Sequence, residues 1–275
     1  MEKTRLNGIY ASGASIGTLI IFSLAGYISD TLGWEAVFYV TGSLSLLWVI
    51  FWFLLVADTP AQHPRISQEE RKYIQTSIGQ SSTVDRKKLD TPWKDILTSA
   101  PVWGIVLGHT ASNWGNYTLN QQLPTYLSNV LRYSLSFNGV LSSICYLFQT
   151  IVCLLGSRLT DLIISRKLIQ TLTIRKINTF LGLWVTGGCA VLAVSAGCQA
   201  YIAVTLFALA AGLNTLTVPG CKTGALDIAP DYAGIVFGVS NTVANIPGFM
   251  GPAIVGALLT DYSDTRQWYY VFSLG

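Results

Sequence analysis

Seven long apolar runs organise the sequence, near residues 8–29, 34–57, 102–123, 136–157, 177–197, 200–218 and 233–260. An eighth begins at Trp268 and runs to Gly275. About 20 apolar residues in a helix cross the hydrocarbon of a bilayer. Each full run therefore predicts one span, and the short connections between several of them predict antiparallel hairpins. The longest polar interval, Asp58 to Ala100, carries Ser67-x-x-Glu70, a capping-box pattern, and predicts an amphipathic helix from Ser67 to about Ser77. The fold class that follows is an all-α membrane protein of about seven full spans plus the start of an eighth.

The third run is the least lipid-like. His109, Asn113, Asn116 and Asn120 recur at helical spacing, with Ser112, Trp114, Tyr117 and Gln121 beside them. Residues three and four apart share a helix face, and polar groups left unsatisfied in hydrocarbon are costly. The stripe is expected to face the bundle interior, where it either lines a transport path or bonds helix to helix. Asn113, Trp114, Asn116, Tyr117 and Asn120 are the path candidates here. In the seventh run Asn241 and Asn245 share a face and are expected to look at the third run across a cavity. Pro247-Gly248 and Gly251-Pro252 follow them and predict a bent helix. Asn214 in the sixth run, and Tyr146 with Gln149 in the fourth, are weaker instances of the same pattern. His109 is the one acid–base group within the runs besides tyrosines and cysteines. Its proton can couple to transport, or its ring can simply bond a neighbour. Asn116-Tyr-Thr118 matches a glycosylation pattern, but its place inside a span predicts no modification.

Composition and charge agree with lipid as the solvent. Of the 275 residues 51% are hydrophobic and 11% charged, against roughly 25% charged in soluble domains. All 14 acidic residues fall in connections or at run edges. With the N-terminus placed in the cytoplasm, all but Arg132 and Arg266 of the 17 lysines and arginines fall on the cytoplasmic side, as the positive-inside rule requires. Lys222 is counted there, alone in its connection. The net charge of +3 gives no reason to expect nucleic acid as a partner. Five cysteines without a CxxC pair read as packing residues, with no metal site. No nucleotide, hydrolase or redox motif is present, so an enzyme is not expected.

Asp30-Thr-Leu-Gly-Trp34-Glu-Ala-Val37-Phe38 and Asp264-Thr-Arg-Gln-Trp268-Tyr-Tyr-Val271-Phe272 each place an aspartate and Trp-x-x-Val-Phe at the start of a run. The copies lie six runs apart, as in two parallel six-span halves. On this reading residues 1–57 are the last two spans of an N-terminal half and 58–100 the central cytoplasmic loop. Residues 101–275 are a C-terminal six-span half whose last span is truncated.

Several motifs resemble one family. They are Gly33-Trp34-x-x-Val37-Phe38-Tyr39, Asp58-Thr59-Pro60-x-x-His63-Pro64-x-Ile66, Thr91-Pro92-Trp93, Leu123-Pro124-Thr125-Tyr126 and Arg175-Lys176-Ile177. The most specific is Leu226-Asp227-Ile228-Ala229-Pro230-x-Tyr232-Ala233-Gly234, followed by Asn241-Thr242 and Pro247-Gly248-x-x-Gly251-Pro252. Over essentially its whole length the chain resembles the major facilitator anion transporters that include sialin, the vesicular glutamate transporters and the sodium–phosphate cotransporters. The resemblance implies a helical bundle that moves a small anion, such as an acidic sugar, phosphate or another organic anion, by alternating access. It implies proton or sodium coupling and no bound cofactor, in either the plasma membrane or a lysosomal or vesicular one. Gly156-x-x-x-x-Asp161-x-x-x-x-Arg166 is similar to the superfamily's loop motif, which implies a cytoplasmic latch of Asp161 with Arg158 and Arg166; Asp227 and Pro230 are the family's loop residues. Vesicular glutamate members carry arginine where this chain has Ser112 and histidine where it has Ala225, which argues against glutamate. The competing expectation is a truncated chain that transports nothing, or serves as a binding partner.

Overall fold

The structure, a computed structural model, describes residues 3–57, 59–78, 91–133, 135–196, 199–262 and 264–273. Asp58 of the Asp-Thr-Pro motif, Cys198, the charged stretch 79–90 and Gly275 lie outside the described residues. All regular structure among them is helical. The chain divides into two compact units, Ile28–Pro92 and the remainder.

In the smaller unit, Gly33 separates α1 (Lys3–Leu32) from α2 (Trp34–Leu55). Its φ of 86° lies in the left-handed region that favours glycine, so one residue ends one helix and starts the next. No residue of α2 is buried. Its Trp48, Phe51, Phe53 and Leu54 side chains are open on the surface, a burden in water but ordinary solvation in lipid. Helix α3 (Gln68–Ile78) lies within the polar interval. Ser67 Oγ accepts the Glu70 N–H at 3.1 Å, the bond the capping pattern predicts.

The larger unit packs α1 up to Tyr27 with α4 (Trp93–Thr98), α5 (Ala100–Asn129) and α6 (Leu135–Ser165). Next, α7 (Thr171–Phe180) continues through a π-helical turn, Leu181–Val185, into α8 (Thr186–Ser195). The following stretch is broken. It comprises α9 (Ala200–Asn214), a 3-10 turn Thr215–Thr217, a π-helical turn Val218–Lys222 and α10 (Gly224–Ile228). Helices α11 (Ala233–Ala244), α12 (Pro247–Leu258) and α13 (Thr265–Ser273) complete the unit. Trp-x-x-Val-Phe opens a helix in both copies, α2 at Trp34 and α13 with Trp268 in its first turn.

Five stretches among the described residues are long and apolar enough to cross a membrane: Thr4–Ser29, Trp34–Leu55, Phe137–Ser165, Thr171–Ser195 and Ala200–Ile228. Two predicted spans fall short for physical reasons. Helix α5 has the length, but its polar stripe lowers its hydropathy. The last full run is divided at Asn245 and Ile246 into α11 and α12, twelve residues each, ahead of Pro247, which opens α12. The sixth run also needs correction. Its helical stretch does not end at residue 218 but continues past the Pro219-Gly220 break to Ile228, with Lys222 inside it.

Two apolar clusters hold α5 at its ends. Near its start Val102, Ile105 and Val106 pack with Ile96, Ala225 and Val236. Near its end Tyr126 is fully buried among Phe207, Trp268 and Phe272, its ring centroid 5.4 Å from that of Phe207 and 5.5 Å from that of Trp268. Close approach between helices depends on glycine at several crossings. A Cβ on Gly8 would collide with Ser157 where α1 meets α6, and one on Gly212 would collide with the Phe148 ring where α9 meets α6. Between its clusters the middle of α5 is left to the polar stripe.

Candidate functional site

The stripe opens onto a cavity of about 330 Å³, within the roughly 300–1,000 Å³ usual for small-molecule sites. Helix α5 contributes His109, Asn113, Asn116, Tyr117 and Asn120. Helix α1 adds Asn7, Tyr10, Ser15 and Thr18, and α6 adds Gln149 and Cys153. The opposite wall is the broken stretch, with Asn214, Thr215, Thr217 and Lys222. Backbone that leaves regular helix inside a membrane is tolerated where it is covered by protein or lines a wet cavity, and Gly/Pro-interrupted spans recur at transporter binding sites. Here Pro219 cannot donate a helical hydrogen bond, and Gly220 adopts non-helical angles (φ −85°, ψ −116°).

The bonding around the cavity is specific. Asn113 Nδ2 donates to the Ala244 carbonyl at 2.9 Å, and Asn113 Oδ1 accepts from Lys222 Nζ at 3.3 Å. Ser112, fully buried, shares a 2.8 Å hydroxyl bond with Thr217, and Asn214 Nδ2 donates to the Ser112 carbonyl at 3.3 Å. His109 Nδ1 pairs with Ser240 Oγ at 2.9 Å and its ring stacks on Phe237. Asn120 Nδ2 donates to Asn116 Oδ1 at 2.6 Å. No aspartate or glutamate is among the described residues that line the cavity.

Not every candidate reaches it. Trp114, one residue on from Asn113, is turned about 100° around the helix and does not line the cavity. Asn241 and Asn245 are exposed and stand outside it. Asn245 touches the lining only through Oδ1, which accepts the Tyr117 hydroxyl at 2.7 Å, while its Nδ2 donates to the Asn241 carbonyl. Polar lining residues that the sequence did not single out include Asn7, Tyr10, Ser15, Thr18, Thr215, Thr217 and Lys222. Asn7 sits just before the first apolar run. Lys222 was hidden by the Pro-Gly break, although Ala225, Leu226 and Ile228 beyond it signal that the apolar stretch continues.

The predicted latch residues lie at the end of α6. Asp161 Oδ2 accepts the backbone N–H of Arg5 at 2.6 Å, Arg158 lines the same outer crevice, and Arg166 is exposed. A second ionic site is buried. Arg175, 8% exposed, pairs with Asp227 Oδ2 at 3.0 Å, donates to the Pro219 carbonyl at 2.6 Å and reaches Thr4 Oγ1 at 3.2 Å. Arg175 therefore clamps the break in the sixth span, and Asp227 of the family loop motif is its counter-ion. Pro230 opens the turn Pro230–Tyr232 ahead of α11, with Ala229 before it out of the helical region (φ −141°, ψ 76°), as a residue preceding proline prefers. Larger crevices of about 830 and 700 Å³ open on the outside of the bundle between exposed apolar side chains such as Leu155, Leu159, Leu172 and Trp184. Such walls suit lipid chains more than a polar solute.

The sequence matches the profile of the Major Facilitator Superfamily over residues 1–252. The chain belongs to the Major Facilitator Superfamily. Among curated members it is 37% identical to human sialin over 275 residues, 99% of this chain and 54% of sialin. It is 36% identical to vesicular glutamate transporter 3 of Danio rerio over 274 residues, 99% of this chain and 46% of that protein. To vesicular glutamate transporter 2 of Bos taurus it is 35% identical, covering 47% of that protein. The chain thus spans about half the length of these Major Facilitator relatives. It is a multi-pass integral membrane protein of a transporter family.

Proposed function

We propose that the chain serves the transport of small anions by alternating access, coupled to protons or sodium. The observation that carries this reading is the cavity: amides and hydroxyls around a lysine, without a carboxylate among the described lining residues, midway along helices whose outer faces are apolar. An anion is the solute such a lining favours, and relatives named for glutamate transport make an organic anion the natural class. Acidic sugars, phosphate and other organic anions fit better than glutamate itself. Ser112 is sealed against Thr217, and Ala225 is buried in an apolar cluster, so neither position offers charge to the cavity.

In this reading residues 101–275 work as one half, residues 1–57 belong to the other, and 58–100 connect them. Three contacts tie the first turns of α1 to the rest of its unit: Arg5 N–H to Asp161, Thr4 to Arg175, and Asn7 Nδ2 to Thr223 Oγ1 at 2.9 Å. They are the bonds that rocking of the halves would break, which gives Asp161 its latch role, with Arg158 and Arg166 alongside.

Uptake by proteoliposomes tests the reading, using the chain and any longer product of the same gene that contains it. Saturable accumulation of labelled gluconate or phosphate, raised by a proton or sodium gradient, is expected. Uptake of neutral sugars or organic cations alone would contradict it. The half-length match also favours a second reading, a chain that binds its solute and does not carry it; binding without flux by the chain identifies that case.

A further inference from the structure

We propose that Lys222 is the charge that receives the anion and that Asn113 is the residue that aims it. This rests on the anion-transport reading above and adds the group that meets the substrate's charge.

Lys222 ends the π-helical turn of the sixth span. A lysine near a helix end ordinarily snorkels toward water. This one does the reverse, its Nζ reaching Asn113 Oδ1, near the middle of the 30-residue α5. An ammonium has three donors and no acceptor, and among the described residues this amide oxygen is its one hydrogen-bond partner. The carboxylate nearest in sequence, Asp227, is committed to Arg175. A charge held inside a membrane bundle without a counter-ion is costly, and a lysine kept for structure would be expected to show a paired carboxylate. Lys222 shows a neutral orienting group and a polar cavity instead.

Asn113 has a fixed task. The Ala244 carbonyl can only accept, so Nδ2 must face it, and Oδ1 is left for the ammonium. The solute this arrangement fits is a small anion that sets a carboxylate or phosphate oxygen on Lys222. Its hydroxyls would meet the amides of Asn116, Asn120 and Asn214 and the Thr217 hydroxyl.

The test is thermal unfolding of the purified chain in detergent, followed by intrinsic fluorescence and titrated with gluconate, inorganic phosphate and neutral sorbitol. At least one anion is expected to raise Tm saturably while sorbitol does not, and the anion that responds identifies the headgroup. Lys222→Gln should weaken that anion at least tenfold, with the ligand-free Tm unchanged or higher, because an unpaired charge has been removed. Lys222→Arg should keep part of the affinity. Asn113→Asp, which pairs the ammonium with a carboxylate, should also weaken that anion. Undiminished affinity in Lys222→Gln overturns the inference and leaves the transporter reading standing, as does a lowered ligand-free Tm with affinity intact. Failure of both anions to stabilise the wild-type chain overturns the inference together with the anion reading.

Discussion

The amide of Asn113 sits between an obligate acceptor, the Ala244 carbonyl, and an obligate donor, the Lys222 ammonium, so chemistry fixes its orientation. Asn120, by contrast, bonds Asn116 on its own helix and ties nothing together across the bundle. The two asparagines therefore predict different phenotypes. Asn113→Ala should reduce transport or anion affinity roughly tenfold, the size of one hydrogen bond to a charged group at ~1.5 kcal/mol. Asn120→Ala should change it only a few-fold. Membrane abundance measured alongside uptake should be unchanged in both; equal effects would show that Lys222 is not oriented through Asn113. The sequence made the stripe on α5 legible, because four polar side chains at helical spacing have few places to go in a lipid-facing bundle. It did not make Lys222 legible. A lysine after Pro-Gly reads as the edge of a loop, and the turn that carries its side chain back toward Asn113 shows only in three dimensions.

Among the elements, the broken sixth span positions the site, and Arg175 holds the break. Its guanidinium occupies the carbonyl of Pro219, pairs with Asp227 and reaches Thr4. Arg175→Ala should destabilise the fold by about 2 kcal/mol, since it leaves a buried carbonyl without its donor and an aspartate without its counter-ion. Lys at this position cannot reproduce the fork and should rescue only partly. A fall in Tm in detergent checks this, and an unchanged Tm would remove Arg175 from the account. Gly212→Leu tests the other constraint on this span. Phe148 leaves no room for a side chain there, and overpacking of this kind costs about 1–3 kcal/mol. The bend after Asn241 and Asn245 was readable from Pro247, since proline interrupts the helical ladder. The exposure of both asparagines was not, because which face of a bent helix turns inward is decided by its neighbours.

For the whole molecule, the all-helical membrane class followed from apolar run length, and membership in the Major Facilitator Superfamily agrees with it. What run length could not supply was the division of labour along each helix. Helix α5 is apolar at its ends and polar in the middle, and that arrangement places a cavity between two packed clusters. Removing detergent from the purified chain should cause aggregation, because the exposed apolar surface of α2 and the outer faces of α6 and α8 has no place in water. The most direct test of the account is solute-protected labelling of the cavity. Asn116→Cys should react with a membrane-impermeant, water-soluble thiol reagent above the background of the unchanged chain, and gluconate or phosphate should slow that reaction. A cysteine at this position that stays unreactive in membranes, or reacts at the same rate with and without anion, would contradict an anion-binding cavity at the centre of the bundle.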